Sequence, residues 1–375
     1  MGVIAPEEIL TLRQQRRAEL QELKARGEKV IGYLCNYVPV EIIFAAGAVP
    51  VRLAQADYHS AVAGKELIRV DACPFCQSTL GKLNSDPIYQ LLDGIVFVNT
   101  CDLMRRLPEL AATRVKVPIF QIYLPRTAEP LPARITEFTR QLQRLADFLK
   151  NITGIEVDRA NLIRAITIYN QLRAKLRTLE QFRPHPGFGL KTAEFFDLIA
   201  LATLLPPAAT GNLIDRIINQ APPPNRDEHT PRVLLAGSII AESDRDIINL
   251  IEEQAVIVAD VVCTGARFIA EDIHPGADPL NALACYYFNR IPCACRRPND
   301  RLFQHIQQLI IERGVQGIVY QTLLYCDPWR FEARQLRVQT QLPMLEIDHD
   351  YSRQNYEQLR TRIEAFIELL RAKNK

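Results

Sequence analysis

The stretch DGIVFVNTCD at 93–102 has a counterpart in VQGIVYQTLLYCD at 315–327, and the likeness extends outward from both. Each is an apolar run ending in Cys-Asp. Each is followed by an arginine-bearing segment, LMRRLPELAATR and PWRFEARQLR, and then by another apolar run opening at a proline: VPIFQIYLP (117–125) and LPMLEID (342–348). Upstream, KVIGYLC (29–35), an apolar-periodic helix in VPVEIIFAAGA and VPVRLA (49–54) are matched by RVLLAGSII (232–240), a helix over DRDIINLIEEQ and AVIVADVVC (255–263). Short, continuously apolar runs rich in Val and Ile, separated by helices, are what parallel strands covered on both faces require. The pattern predicts two α/β domains of related build, each with about four strands in a parallel sheet.

Between the halves lies a stretch of long helical periodicity: ITEFTRQLQRLADFLKNI, VDRANLIRAITIYNQLRAKLRTLEQF and TAEFFDLIALATLL. Proline-rich breaks at 183–188 (RPHPGF) and 222–225 (PPPN) bound its pieces. The expected division is an N-terminal α/β domain over 1–131, a helical connecting subdomain over 132–225, and a C-terminal α/β domain over 226–375. The last is closed by an amphipathic helix in YSRQNYEQLRTRIEAFIELLRAK.

Lys plus Arg number 45 against 43 Asp plus Glu, so a net charge of +2 gives no strong attraction to nucleic acid or membrane. No apolar run approaches the roughly 20 residues that span a bilayer. The first thirty residues alternate apolar and charged side chains at helical spacing and lack a signal-peptide core. A cytoplasmic protein is expected. Nine cysteines in a reducing compartment do not form a disulfide framework, which leaves metal binding, catalysis or burial.

Cys35, Cys101, Cys263 and Cys326 fall at or beside the C-terminal ends of predicted strands, where parallel sheets gather ligands. Two close pairs, Cys73/Cys76 in DACPFCQSTL and Cys293/Cys295 in IPCACRRPND, fall in loop regions of the two halves. If the strand ends of the two domains face each other, most of the cysteines converge on one cleft. Cys263 and Cys285 sit on apolar stretches and are read as packing. Structural zinc prefers close pairs near each other in sequence, and here they lie in opposite halves. CPFC before QSTLGKL also has the look of a redox pair opening a helix. Iron–sulfur ligation uses the most observations, because thiolates from distant segments can share a cluster. Arg105, Arg106, Arg296, Arg297 and Arg330 beside these cysteines would offset anionic cluster charge or bind an anionic substrate group. The six histidines form no close pair, and no phosphate-cradling G-x-x-x-x-G-K-[ST] motif is present.

The segments GYLCNYVPVEIIFAAGAVPVRL (32–53), DACPFCQSTLGKL (71–83), DGIVFVNTCDLMRRL (93–107), YFNRIPCACRRPNDR (287–301), GVQGIVYQTLLYCDPWRFE (314–332) and LPMLEIDHD (342–350) together resemble the 2-hydroxyacyl-CoA dehydratase and benzoyl-CoA reductase family. The resemblance implies two Rossmann-like domains with an iron–sulfur cluster in the cleft between them. It implies three cysteines per [4Fe–4S] unit, matched here by Cys73, Cys101 and Cys326. In the dehydratases of that family the cluster sits in one of two related subunits, and an ATP-hydrolysing iron–sulfur activator protein injects a low-potential electron. A ketyl radical anion of the acyl-CoA thioester then expels the 2-hydroxyl group.

The chain departs from that pattern in its surplus of cysteines. One branch of the family carries a double-cubane [8Fe–9S] cluster with six cysteine ligands in a homodimer, and resembles ATP-driven reductases of small molecules. Cys35, Cys73, Cys76, Cys101 and Cys326 plus one of Cys293 and Cys295 would supply six. The resemblance therefore implies a double-cubane-type reductase, with an iron–sulfur dehydratase subunit as the second reading. A non-catalytic electron carrier or a zinc-stabilised α/β protein is the third. The cofactor expected is an iron–sulfur cluster, and the partners are an activator, a second copy or a related subunit, and a small-molecule or acyl-CoA substrate.

Overall fold

A computed structural model describes residues 3–183, 190–220, 230–269, 271–290 and 293–373. The proline-rich stretches at 183–188 and 222–225 lie outside these residues, apart from Arg183. The first half carries β1 (Lys29–Tyr33), β2 (Ala48–Arg52), β3 (Gly94–Val98) and β4 (Ile119–Ile122). The second carries β5 (Arg232–Gly237), β6 (Val256–Asp260), β7 (Gly317–Leu323) and β8 (Met344–His349). Both sheets are wholly parallel and have the same build, β2-β1-β3-β4 and β6-β5-β7-β8. The fold is α/β with two Rossmann-like sheets, as the repeated pattern predicts.

The two runs that announced the repeat are the central strands β3 and β7, buried along their whole length. Helices on both faces remove water from every side chain there, so an alternating pattern would bury polar groups. The strands stop short of the cysteines that end the apolar runs, and those cysteines lie in the loops beyond. In each sheet the chain moves outward from the first strand and then returns to the third. The loops after β1 and β3, and after β5 and β7, therefore leave in opposite directions and open a crevice at the carboxyl edge.

Four helices fill the middle of the chain: Pro132–Thr153, Arg159–Phe182, Thr192–Ala202 and Pro207–Gln220. The second is started by Asp158, whose side chain accepts from Asn161 N at 2.7 Å. This helix ties the two halves together. Glu41, 0 % exposed, takes Arg173 Nη1 at 2.7 Å through one oxygen and Tyr287 Oη at 2.7 Å through the other. A carboxylate can stay charged so deep only when its oxygens are paired in this way. Arg183, just past the same helix, reaches Asp260 at the end of β6 at 2.5 Å, with both side chains 0 % exposed.

The helices Tyr58–Gly64 and Pro74–Ser85 pack backbone to backbone, and glycines permit it. A Cβ on Gly64 would collide with the Gln77 carbonyl, and one on Gly81 with the Ser60 carbonyl. Gly81→Ala is expected to destabilise the chain by about 1–3 kcal/mol through overpacking. An unchanged melting temperature would reject the close approach.

Candidate metal centre

The carboxyl edges of the two sheets face a cavity of about 570 Å³. Eight of the nine cysteines line it: Cys35, Cys73, Cys76 and Cys101 from the first half, and Cys263, Cys293, Cys295 and Cys326 from the second. Cys35 follows β1, Cys101 follows β3, Cys263 follows β6 and Cys326 follows β7. Cys285 alone lies elsewhere, in the helix Pro279–Asn289. Strand-end placement thus also brings in Cys263, which the sequence reading assigned to packing.

Three of these cysteines cap helices. Cys73 precedes the helix Pro74–Ser85, Cys101 precedes Asp102–Ala112, and Cys326 precedes Asp327–Thr340. Pro74 and Pro328 stand in the first turns, where a missing N–H costs nothing and a fixed φ favours the helix. Cys101 Sγ accepts from Met104 N at 3.4 Å. Each helix start carries partial positive charge, a favourable setting for an anionic group. Tyr325, with φ 62, makes the left-handed turn that delivers Cys326 from β7.

The thiols also act on one another. Hydrogen bonds from Cys326 and Cys76 hold Cys73 well below the ordinary thiol range. The donors move the opposite way: Cys76 and Cys326 are pushed up, above all by bonding to Cys73. A hydrogen bond from Cys295, aided by the Arg267 guanidinium, brings Cys293 down to about 5. Cys295 is pushed up by bonding to Cys101 and Cys293. Burial pushes Cys35 to about 11. Two sulfurs in the cleft are thus favoured as thiolates, the form that ligates metal. Among the described residues no three His, Cys, Asp or Glu side chains already close on a single metal-binding point. The donor set itself is soft sulfur, suited to iron–sulfur units or zinc.

The arginines separate. Arg297 lines the cavity with its side chain 64 % exposed, while bonding Glu332 at 2.6 Å. Arg105 and Arg106 lie outside on their helix, beside Asp102 at 3.0 Å and Glu109 at 3.5 Å. Arg296 is turned inward and stitches the halves: it donates to the carbonyls of Phe288 (2.6 Å), Thr127 (2.9 Å) and Pro125 (3.1 Å) and covers the Phe288 ring at 4.3 Å. The structure therefore does not bring Arg105, Arg106 or Arg296 to the cavity wall. Backbone bonds reinforce the stitch, with Ala128 N on Arg297 O at 2.7 Å and Arg297 N on Arg126 O at 3.0 Å. Arg330 pairs with Asp348 at 3.4 Å.

Arg52, Arg69, Arg126 and Arg267 line the cavity without having been singled out in the sequence. A signal for Arg267 existed. It lies four residues beyond Cys263, in the loop that follows β6, so the strand-end rule applied to Cys263 would have carried it along.

Two parallel sheets whose carboxyl edges face a cysteine-lined cleft define an α/β protein with its candidate site between the two halves. The chain belongs to the family described as 2-hydroxyglutaryl-CoA dehydratase, D-component, whose model matches residues 35–370. It is 30% identical to the "Putative dehydratase subunit YjiM" of Escherichia coli (strain K12), with 96% of each chain covered. It is 25% identical to the (R)-phenyllactyl-CoA dehydratase beta subunit of Clostridium sporogenes, with 94% of each covered. It is 26% identical to (R)-2-hydroxyglutaryl-CoA dehydratase, subunit beta, of Acidaminococcus fermentans, covering 97% of this chain and 98% of that one. The family expected from the motifs is thus the one found, and the chain is an enzyme component. Among the described residues no helix is long and apolar enough to cross a membrane.

Proposed function

We propose that this chain is the iron–sulfur component of an oxygen-sensitive, low-potential reductase of the double-cubane type, supplied with electrons by a separate ATP-hydrolysing activator. The observation carrying the proposal is that both close cysteine pairs and all three helix-capping cysteines line one cavity. A three-ligand cubane would account for Cys73, Cys101 and Cys326 but leave Cys76, Cys293 and Cys295 without a task. Cys35, Cys73, Cys76, Cys101 and Cys326 with one of Cys293 and Cys295 would hold the larger cluster. When bound, such a cluster supplies low-potential electrons and an iron able to polarise a substrate oxygen.

The chain's own residues then do the following. The three helix starts offset the negative charge of a sulfide-rich group. Arg52 and Arg267 add buried positive charge at its edge, and Arg297 presents a guanidinium to an anionic substrate group. A homodimer or a pairing with a related subunit, and a small molecule or acyl-CoA as substrate, complete the proposal. The second reading is the iron–sulfur subunit of an (R)-2-hydroxyacyl-CoA dehydratase, favoured by relatives named as dehydratase beta subunits that align over nearly their whole length.

Iron, acid-labile sulfide and zinc per chain, on protein purified without oxygen, test both. About eight irons are expected for the double-cubane type and about four for the dehydratase subunit. Zinc without sulfide would sink both. In the first case Cys76→Ser lowers the iron content, and unchanged iron in that variant counts against the larger cluster.

A further inference from the structure

The duplication of the sheets gives residues of the second half counterparts in the first. Gln321 of β7 pairs with Ile347 of β8, as Val98 of β3 pairs with Ile122 of β4. His349 and Leu124 each lie two residues further on. Val98 is 0 % exposed and Leu124 3 %, so the same sheet is built with apolar side chains at both places. The fold therefore does not require Gln321, which is 0 % exposed, or His349. A buried amide in a central strand is costly unless it is bonded.

The bonds run from one cavity to another. Ser238, at the end of β5, lines the cysteine-lined cleft. Its Oγ accepts from Leu323 N at 3.1 Å and donates to Gln321 Oε1 at 3.5 Å. Leu323 O accepts from Cys326 N at 3.0 Å, so Ser238 stands beside the turn that carries Cys326. The Gln321 side-chain nitrogen meets His349 Nε2. His349 Nδ1 lies 3.3 Å from Asp244 Oδ1, and Ala241 N holds the other Asp244 oxygen at 2.7 Å. Tyr351 N is 3.4 Å from the same imidazole nitrogen, and the carboxylate is the stronger partner. Asp244 and His349 line a pocket of about 260 Å³ at the end of β8, which opens beside the exposed Arg353. Of the other charges around it, Asp246 is held by Arg353 at 2.5 Å and Asp348 by Arg330 at 3.4 Å. Asp350 accepts from Ser352 N, Arg362 donates to the Glu346 carbonyl, and the Tyr351 ring stands edge-on to His349.

We propose that Ser238 presents its hydroxyl to the group held by the cysteines, and that Asp244, His349 and Gln321 are positioning residues that set which way it points. A neutral imidazole giving Nδ1–H to Asp244 accepts at Nε2. The Gln321 amide then turns N–H to it and oxygen to Ser238, whose hydrogen points away from the cleft. A proton taken from water in the pocket makes Nε2 a donor. The amide turns over, its N–H now donates to Ser238, and the hydroxyl hydrogen is released toward the cleft. The proton stays on His349, and only the direction of the hydrogen bonds crosses the sheet. An anionic centre favours that second state, so gaining an electron favours protonation of His349, and by linkage protonation raises the potential.

The proposal rests on the iron–sulfur reading, and the first test is the midpoint potential of the loaded chain, followed by electron paramagnetic resonance. The potential should rise as the pH falls through the imidazole range, and His349→Gln should remove that response. Ser238→Ala should lower the potential, Ser238→Thr should restore it, and Gln321→Leu should add nothing to Ser238→Ala. Ser238→Ala is a small change and keeps the test valid if Gln321→Leu fails to fold. A loaded centre whose potential ignores Ser238→Ala, or keeps its pH response in His349→Gln, would overturn the connection. A chain that takes up no iron and sulfide refutes the proposed function instead, and the metal-free protein then decides. In ¹⁵N-histidine spectra at fixed pH, with His349 assigned by its loss in His349→Gln, Ser238→Ala should move the ring signals. It should leave them unmoved in a Gln321→Leu background. No movement in either, or equal movement in both, would reject the path through the amide.

Discussion

A chain carrying Cys73→Ala and purified without oxygen is expected to lose most of its iron, whereas Cys285→Ala keeps the wild-type content. Cys73 is the hub of the first sulfur group, accepting from both Cys76 and Cys326, and it caps the helix on which Cys76 lies. In the proposed centre its removal deletes one ligand and frees the two thiols that it orients, so neighbouring ligands would be lost with it. Cys285 lies on the helix Pro279–Asn289 and does not line the cleft. The measurement is iron and sulfide per chain for the two variants side by side. Equal iron in both would remove Cys73 from the centre.

Asp260→Ala should destabilise the chain by about 3–5 kcal/mol, the usual result of stripping one partner from a buried ion pair. Arg183 would be left charged and buried, and Asp260 also accepts from Val262 N at 3.2 Å and Ala266 N at 2.9 Å. Those two amides shape the loop that carries Cys263 and Arg267 to the cleft. Asp260→Asn keeps acceptors for the amides and should cost less than the alanine. Denaturant midpoints of the three proteins check the ordering. A midpoint for Asp260→Ala equal to wild type would mean that Arg183 finds another partner.

The sheets were legible in the sequence because both central strands are buried on two faces. GIVFV is apolar throughout and GIVYQTL nearly so, its buried Gln321 and Thr322 being partnered by His349 and Asp348, and the repetition exposed the duplication. The convergence of cysteines was legible for the same reason, since parallel strands place everything after them on one edge. What the sequence hid was direction. Arg296 and Arg297 are adjacent and chemically alike, yet one points inward to three carbonyls and the other to the cavity. That difference is set by the nearby Phe288 together with Pro125 and Thr127, which lie in the other half of the chain. Arg105 and Arg106 follow a cleft cysteine closely, but a helix turn carries them away to local carboxylates. Arg267 was missed because Cys263, four residues before it in the loop after β6, was read as packing, so that loop was not followed to the cleft.

The stitch between residues 126–128 and Arg297 has a consequence for how the protein matures. During synthesis Cys35, Cys73, Cys76 and Cys101 emerge and take their places with the first half, whereas Cys293 and Cys295 reach the cleft only when their segment has been laid along Thr127. The proposed cofactor, shared across the seam, would then be inserted after both halves have folded and docked, as the last step of assembly. A ribosome-bound chain that has not yet released its second half would display a thiol-rich edge with nothing to close it, exposed to stray metal and oxidants.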